Sequence, residues 1–399
     1  VISVEEALER ITSQCPLIPP ESIALSQAAG RVLAMDAAAR RTQPPVDVSA
    51  MDGYAVRAGD TASLPATLRI VGHAPAGGSF DGMLGPGDAA RIFTGGPVPQ
   101  GANAIVLQED TESDGQTVTV LEAAGLGQHI RRAGIDFSAG DVLLGAGRIL
   151  SPAALGLLAA MDTPWVDVRR KPRIALLATG DELVRPGEPI GPNQIVSSNS
   201  IALKALVEQH GATAIDLGIA RDDPHVLRTM VEGARGADIF VTIGGASVGD
   251  HDLVKRVLSE VGLEIDFWKI ALRPGKPLIF GRMDGALMLG LPGNPVSAMV
   301  CGLLFLVPMI RAMLGIRPAE LPREKAILGC DLPANGERRD FMRATVFRGQ
   351  GLPLATPFRK QDSSMISLFA NAGALVIRPP HAPAAHDGDV VEILPLDRI

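Results

Sequence analysis

The stretch that most constrains this chain runs from Ala237 to Ile279, opening ADIFVTIGGASVGDHD and closing WKIALRPGKPLI. Asp238 to Ile243 has the length and apolar composition of a buried parallel strand. It breaks at Gly244–Gly245 and turns through Ala246–Ser247–Val248–Gly249. The periodic run Leu253, Val254, Val257, Leu258, Val261 then predicts a helix. Strand, glycine turn and helix in that order aim unpaired backbone N–H groups and the positive end of a helix dipole at an anion. Asp250 and Asp252 stand at the helix start, and Lys269, Arg273 and Lys276 follow. Donors for phosphate, acids for a divalent ion and cations for further anions describe a site for a phosphorylated ligand.

The neighbouring sequence supplies the sheet to which that strand belongs. Ile174 to Ala178 and Ala214 to Leu217 read as strands, Ile201 to Gln209 and Pro224 to Ala234 as helices, with Asp223 as N-cap. Ala286 to Leu289 and the loop Gly290 to Pro295 close the pattern, with Asn294 and Pro295 starting a helix. Strands alternating with helices predict a doubly wound α/β domain with a parallel sheet. Ligands of such sheets bind where loops leave the carboxyl ends of strands. Those loops are Thr179 to Glu182, Gly218 to Asp223, Gly244 to Asp252 and Gly290 to Pro295. Taken singly, Glu182, Asp222, Asp250 and Asp252 are each explained as helix-start acids that complement the dipole. Four of them on one edge, beside glycine turns, point to a metal or ligand, and magnesium suits a site of few carboxylates completed by phosphate and water.

At 399 residues the chain predicts several domains. Ser3 and Glu6 form a capping box for a first helix at Val4. Leu25 to Arg40 reads as helical or mixed, and about 41 to 140 as a β-rich module of short alternating runs between turns. Ser151–Pro152 starts another helix, and beyond Pro318 the short alternating runs return, predicting a small β-barrel or sandwich. The net charge of −7, without a basic run, excludes nucleic acid and anionic membrane as expected partners. Cys15, Cys301 and Cys330 are scattered, which suits a reducing cytoplasm. The acidic opening VISVEEALERI lacks the parts of a signal peptide. Val296 to Leu314 is apolar, but Pro308 and Arg311 interrupt it short of the roughly 20 residues of a span, so a buried helix is expected.

Two further stretches carry candidate chemistry. Ser49 to Val56 puts Asp52 beside Gly53, and Thr94 to Pro99 puts a hydroxyl and open amides after a strand; each is equally well explained as turn chemistry. Arg273–Pro274–Gly275–Lys276–Pro277 reads either as a plain β-turn with solvated cations or as a stiff turn that holds Lys276 toward an anion, with Lys269 nearby, and the second is favoured. Ser197, Ser198 and Asn199 precede a helix, where capping explains Asn199 and a ligand contact is an equal alternative.

With AAGRVLA, SAMDGYAV, FTGGPVPQGANAIV, ATGDELV, GGASVGDHD, KIALRPGKP and GLPGNPVSA in order, the chain closely resembles the molybdopterin molybdenumtransferase family, the MoeA type related to the gephyrin E domain. The resemblance spans most of the chain and continues over 339–344 and 361–368. It implies a molybdopterin-binding α/β domain (1–20 and 171–317), a split linker domain (21–40 and 141–170), an inserted β-rich domain (41–140) and a C-terminal β-barrel (318–399). The implied activity is magnesium-dependent insertion of molybdate into adenylylated molybdopterin with release of AMP. Asp52, Thr94, Glu182, Asp222, Asp250 and Asp252 would be the functional polar set, with Glu182, Asp222 and Asp250 toward the metal. Lys269, Arg273, Lys276, Ser197 and Asn199 would serve the anions. Gly244, Gly245, Ser247, Pro292, Gly293, Asn294 and Pro295 would cradle phosphate or pterin. The resemblance also implies a homodimer whose sites are shared between subunits, with transient contacts to other cofactor-biosynthesis proteins. The sequence departs from the family pattern at Val46 and Val48, and at Asn103, where an Asp is frequent. Two other functions compete: the preceding adenylylation step, against which SAMDGYAV and the extra domains argue, and a gephyrin-like scaffold without catalysis.

Overall fold

The structure, a computed structural model, describes residues 1–245 and 253–397. Its organising layer is a six-stranded sheet of β1 (Arg173–Thr179), β2 (Thr213–Ala220), β3 (Ile239–Ile243), β4 (Glu264–Lys269), β5 (Pro277–Met283) and β6 (Ala286–Leu291). The spatial order is β2-β1-β3-β6-β5-β4. β2, β1, β3 and β6 are parallel, as the alternation of elements predicts. β5 runs against both its neighbours, so the sheet is mixed where an all-parallel one was expected. The cause is the two-residue link Asp284–Gly285, whose φ values of 51° and 82° match the turn that joins antiparallel strands.

The helices are α1 (Val4–Ser13), α2 (Pro152–Ala160), α3 (Asn199–Gln209), α4 (Pro224–Glu232), α5 (Leu253–Glu260) and the long α6 (Pro295–Met313). All five residues of β3 are buried and alternate between two cores. Ile239, Val241 and Ile243 face the side covered by α1, α3 and α6, while Phe240 faces α4 and α5. Helix starts follow the sequence cues. Ser3 Oγ accepts from the Glu6 N–H at 3.0 Å, and Ser151 Oγ from Ala154 N–H at 3.3 Å. The Asp223 carboxylate accepts from the N–H groups of His225 and Val226 at 2.8 and 3.0 Å.

By length and composition α6 passes for a membrane span, yet 83% of its most apolar window is buried inside the protein. It is the core helix that the interrupting Pro308 and Arg311 led us to expect. Over Gly302–Leu306 it widens into a π-helical turn. Pro308 comes two residues after it and has no N–H to offer the carbonyl four residues back, which favours such a local widening.

The remaining elements form three smaller units. Pro20–Ala24 pairs with Trp165–Arg169 and Ala37–Ala38 with Val142–Leu144, building a linker with α2 from two separate chain segments. Leu25 to Arg40, expected as helical or mixed, holds one 3₁₀ turn at Leu25–Gln27 and no α-helix. Gly30, at φ 71°, breaks the run, and Val32 and Leu33 bridge instead to Ile149 and Val168. The inserted module is a six-stranded sheet built on Gly53–Val56, Ala66–Ala74, Asp88–Ile92 and Ala104–Leu107, extended by Thr111–Ser113 and Thr117–Val120. Here Asn103 is structural: its side-chain oxygen accepts from Ala58 N–H at 2.7 Å. The C-terminal strands Glu324–Leu328, Arg339–Phe347, Leu354–Pro357, Ala374–Arg378 and Val390–Pro395 close on themselves as a five-stranded barrel. Its Phe341, Leu375 and Leu394 join the core around α6, which locks barrel and α/β domain together.

Phe305 is fully buried at the centre of that shared core. Phe305→Ala is expected to cost about 3–5 kcal/mol, read as a lower denaturant midpoint, with the barrel and α/β domain losing structure together.

Candidate functional site

The parallel strands β1, β2, β3 and β6 deliver their carboxyl ends to one edge of the sheet. A cleft of about 500 Å³ opens there, with Glu182 after β1, Gly244 and Gly245 after β3, and Pro292 to Pro295 after β6 in its wall. Its floor depends on missing side chains. Gly244 and Gly245 hold φ of 91° and 61°, in the left-handed region. A Cβ on Gly244 would stand 2.8 Å from the Thr179 carbonyl oxygen, and one on Gly245 would stand 2.2 Å from Val254 Cγ2. The Gly244 N–H donates to the Leu291 carbonyl at 3.0 Å, tying the β3 turn to the end of β6.

Asn199 and Ser197 reach the cleft from the start of α3. Ser198 occupies the N-cap position, so Asn199 is already in the helix, and its Nδ2 donates to the Gly293 carbonyl at 2.7 Å. Asn294 is an N-cap by backbone but makes no side-chain cap bond; its Nδ2 instead donates to Ser363 Oγ at 2.9 Å. The Val296 N–H donates to the Ser363 carbonyl at 3.0 Å, and Ser364 lines the cleft. These barrel residues were matched in sequence without a role. Arg343 stands behind them, 1% exposed, donating to Gln361 and to the carbonyls of Asp362 and Met365. Its buried Nη2 has no hydrogen-bond partner among the described residues. No local sequence pattern announces this group, because the barrel folds back 70 residues after the loop it serves.

Acids gather at the neighbouring corner. The Asp222 N–H donates to Asp181 Oδ1 at 3.1 Å. Burial pushes the Asp222 carboxyl above the usual carboxylate range, and the charges of Asp181 and Glu182 push it further. Asp181 is thus part of the acid group, although sequence reasoning passed over it. Gly218, expected in the loop, lies inside β2 at a register shift. Asp250, Asp252 and Ser247 lie outside the described residues. Among the described residues no set of three His, Cys, Asp or Glu is gathered closely enough to hold a metal unaided.

Other expected members stand elsewhere. Arg273 does not line the glycine-floored cleft; its Nε donates to the buried Asp340 carboxylate of the barrel at 2.9 Å. With Lys276, Asn335 and Arg338 it borders a second cleft of about 550 Å³ at the barrel seam. Pro277, next to Lys276, lines the first cleft, so the two openings adjoin. Lys269 places its ammonium 3.9 Å from the centroid of Trp268. Asp52 and Thr94 meet in the inserted module: the Thr94 N–H and hydroxyl both donate to Asp52 Oδ1, at 2.7 and 2.8 Å. Those bonds, with the charge of Arg91, hold the Asp52 carboxyl below its ordinary value. Neither residue lines the α/β cleft.

Comparison with known proteins accounts for the whole chain. Residues 2–161 match the MoeA N-terminal region (domain I and II), 175–312 a probable molybdopterin binding domain, and 325–396 the MoeA C-terminal region (domain IV). A molybdopterin molybdenumtransferase of Haemophilus influenzae is 34% identical over 100% of both chains. One from Nostoc is 37% identical over 94% of this chain and 88% of its own. Two structures of molybdopterin biosynthesis MoeA proteins from Pyrococcus horikoshii superpose with TM-scores of 0.87 and 0.84, at 33% and 29% identity. The first covers 99% of both chains, the second 98% of this chain and 99% of its own. A cleft at the carboxyl edge of the sheet, closed by a barrel and accompanied by full-length similarity, leaves one assignment: the chain belongs to the molybdopterin molybdenumtransferase family.

Proposed function

We propose that this transferase of molybdenum cofactor biosynthesis inserts molybdate into adenylylated molybdopterin, with AMP released as the phosphoric anhydride is cleaved by water. The observation that carries this reading is the side-chain-free floor at Gly244 and Gly245, which lets a phosphate or pterin approach the backbone directly. Asn199, holding the Gly293 carbonyl, fixes the facing loop. Ser364 supplies a donor from the barrel side, backed by the buried Arg343 that donates to the carbonyls of Asp362 and Met365. Arg273 and Lys276, across the adjoining cleft, attract the molybdate dianion.

Magnesium fits the acid corner. Burial, and then the charges of Asp181 and Glu182, raise the Asp222 pKa, and a cation would relieve that repulsion. The donor set is too small to enclose an ion, which suits one that takes few protein carboxylates and completes its shell with phosphate and water. Glu182 and Asp222 would hold it, together with Asp250 from outside the described residues. Bound there, it would neutralise charge on the anhydride and on the departing AMP.

We further propose a homodimer in which the inserted module of one subunit completes the α/β cleft of the other. Two observations support it. Asp52 and Thr94 are paired and ready as ligands but lie away from the cleft of their own chain. Ile195, Val196 and Ile201, near the cleft, are 58%, 47% and 59% exposed. A cytoplasmic location suits the three free thiols.

The direct test supplies adenylylated molybdopterin, molybdate and magnesium to the purified protein and follows AMP; no AMP removes the insertion reading. Asp222→Asn is expected to lower AMP release by about 100-fold or more. A carboxyl whose folded pKa is raised opposes folding once it ionises, so its stabilising share is lost as pH rises through that value. The same variant should therefore melt slightly higher at pH 7, a gain that fades toward acid. Asp52→Ala and Asp222→Ala proteins, each inactive, are expected to recover up to about a quarter of wild-type turnover when mixed, because random exchange leaves one intact site in half of the dimers. No recovery despite demonstrated subunit exchange would argue against a shared site.

A further inference from the structure

Arg91 contributes more to the Asp52–Thr94 pair than the charge already noted. It lies on Asp88–Ile92, directly opposite Tyr54 in the antiparallel pairing with Gly53–Val56. Opposed residues share a face, as do residues two apart on a strand, so Tyr54, Arg91 and Phe93 converge. The guanidinium carbon is 5.0 Å from the centroid of each ring, a cation held by two aromatic faces. Its fork is occupied as well. Nη1 donates to the Gly53 carbonyl at 3.1 Å and Nη2 to the side-chain oxygen of Gln108. The Gln108 N–H in turn donates to the Asp52 carbonyl at 3.1 Å. The main chain on the carboxyl side of Asp52 is therefore pinned at two points, both of them involving partners of Arg91. Gly53 has no slack, since a Cβ there would stand 1.9 Å from the Val106 carbonyl oxygen.

We propose that Arg91 is a positioning residue for the Asp52–Thr94 pair: its clamped guanidinium fixes the main chain that carries the Asp52 carboxylate. The acid then meets an anionic phosphate ester already oriented. Lysine is no substitute, because an ammonium keeps the charge but has no planar fork to bond Gly53 and Gln108 together. The charge adds to the two Thr94 bonds in favouring the ionised form of Asp52. This inference rests on the proposed function, in which Asp52 acts on the substrate.

The test compares full-length R91Q, R91K and F93L with wild type and with D52A. It reads kcat and KM for AMP release, the pH dependence of kcat/KM, melting temperature, and the Asp52 side-chain ¹³C titration without substrate, assigned by its absence in D52A. R91Q is expected to lose about tenfold or more in kcat while KM changes by no more than about threefold. Removing a positive charge favours the neutral acid, so its Asp52 titration and acidic limb should move to higher pH. R91K should restore the titration but not kcat, and F93L should show a smaller kcat loss. R91Q with kcat within about twofold of wild type, or with a loss carried by KM and not by kcat, overturns the proposal. A fully active D52A would remove the part given to Asp52 in the proposed function, absence of AMP release from wild type would remove that function itself, and an inactive D52A beside a normal R91Q sinks the arginine alone.

Discussion

Everything at the functional edge depends on how closely backbone can approach backbone where β3 ends. Gly244 sits against the Thr179 carbonyl and donates to Leu291, so the ends of β1, β3 and β6 are drawn together without intervening side chains. A Cβ on Gly293 would be only 3.6 Å from the Gly244 Cα, so the two loops nest. Parallel strands make this possible because they bring several carboxyl ends to one edge. The all-buried β3 makes it rigid, since both of its faces are packed.

Charge is then distributed around that floor at some cost to stability. Burial raises the Asp222 pKa, and the nearby charges of Asp181 and Glu182 raise it further. Asp52, by contrast, is stabilised as an anion by two bonds from Thr94. The opposite treatment of two proposed ligands has a physical basis: one lies among like charges, the other among donors. The barrel adds the positive side, with Arg343 buried behind Ser364 and Arg273 anchored on Asp340. Its attachment to the α6 core keeps these groups in register with the loops they face.

Much of this was legible in the chain, where the signal is local. The caps at Ser3, Ser151 and Asp223 work as side-chain-to-backbone rules anticipate. Asp284–Gly285 was also a local signal, a hairpin dipeptide that went unread and whose turn makes the sheet mixed. Leu25 to Arg40 was open between helical and mixed; its residues favour helix in isolation, but partners more than 100 residues away recruit Val32 and Leu33 into bridges and the mixed form results. Asn199 offered two readings in sequence, a cap or a contact. The structure gives it a third role, as a clamp on the facing glycine loop.

The sequence by itself determined the alternating elements, the glycine turns and the acids at strand ends, because these depend on periodicity and on which residues tolerate a left-handed backbone. Tertiary structure decided which of those groups meet. Arg273 turned to the barrel, Asp181 joined Asp222, and Arg91 came to lie between Tyr54 and Phe93. Such pairings are set by strand register and domain docking, and residues tens of positions apart carry no mark of them until the chain is folded.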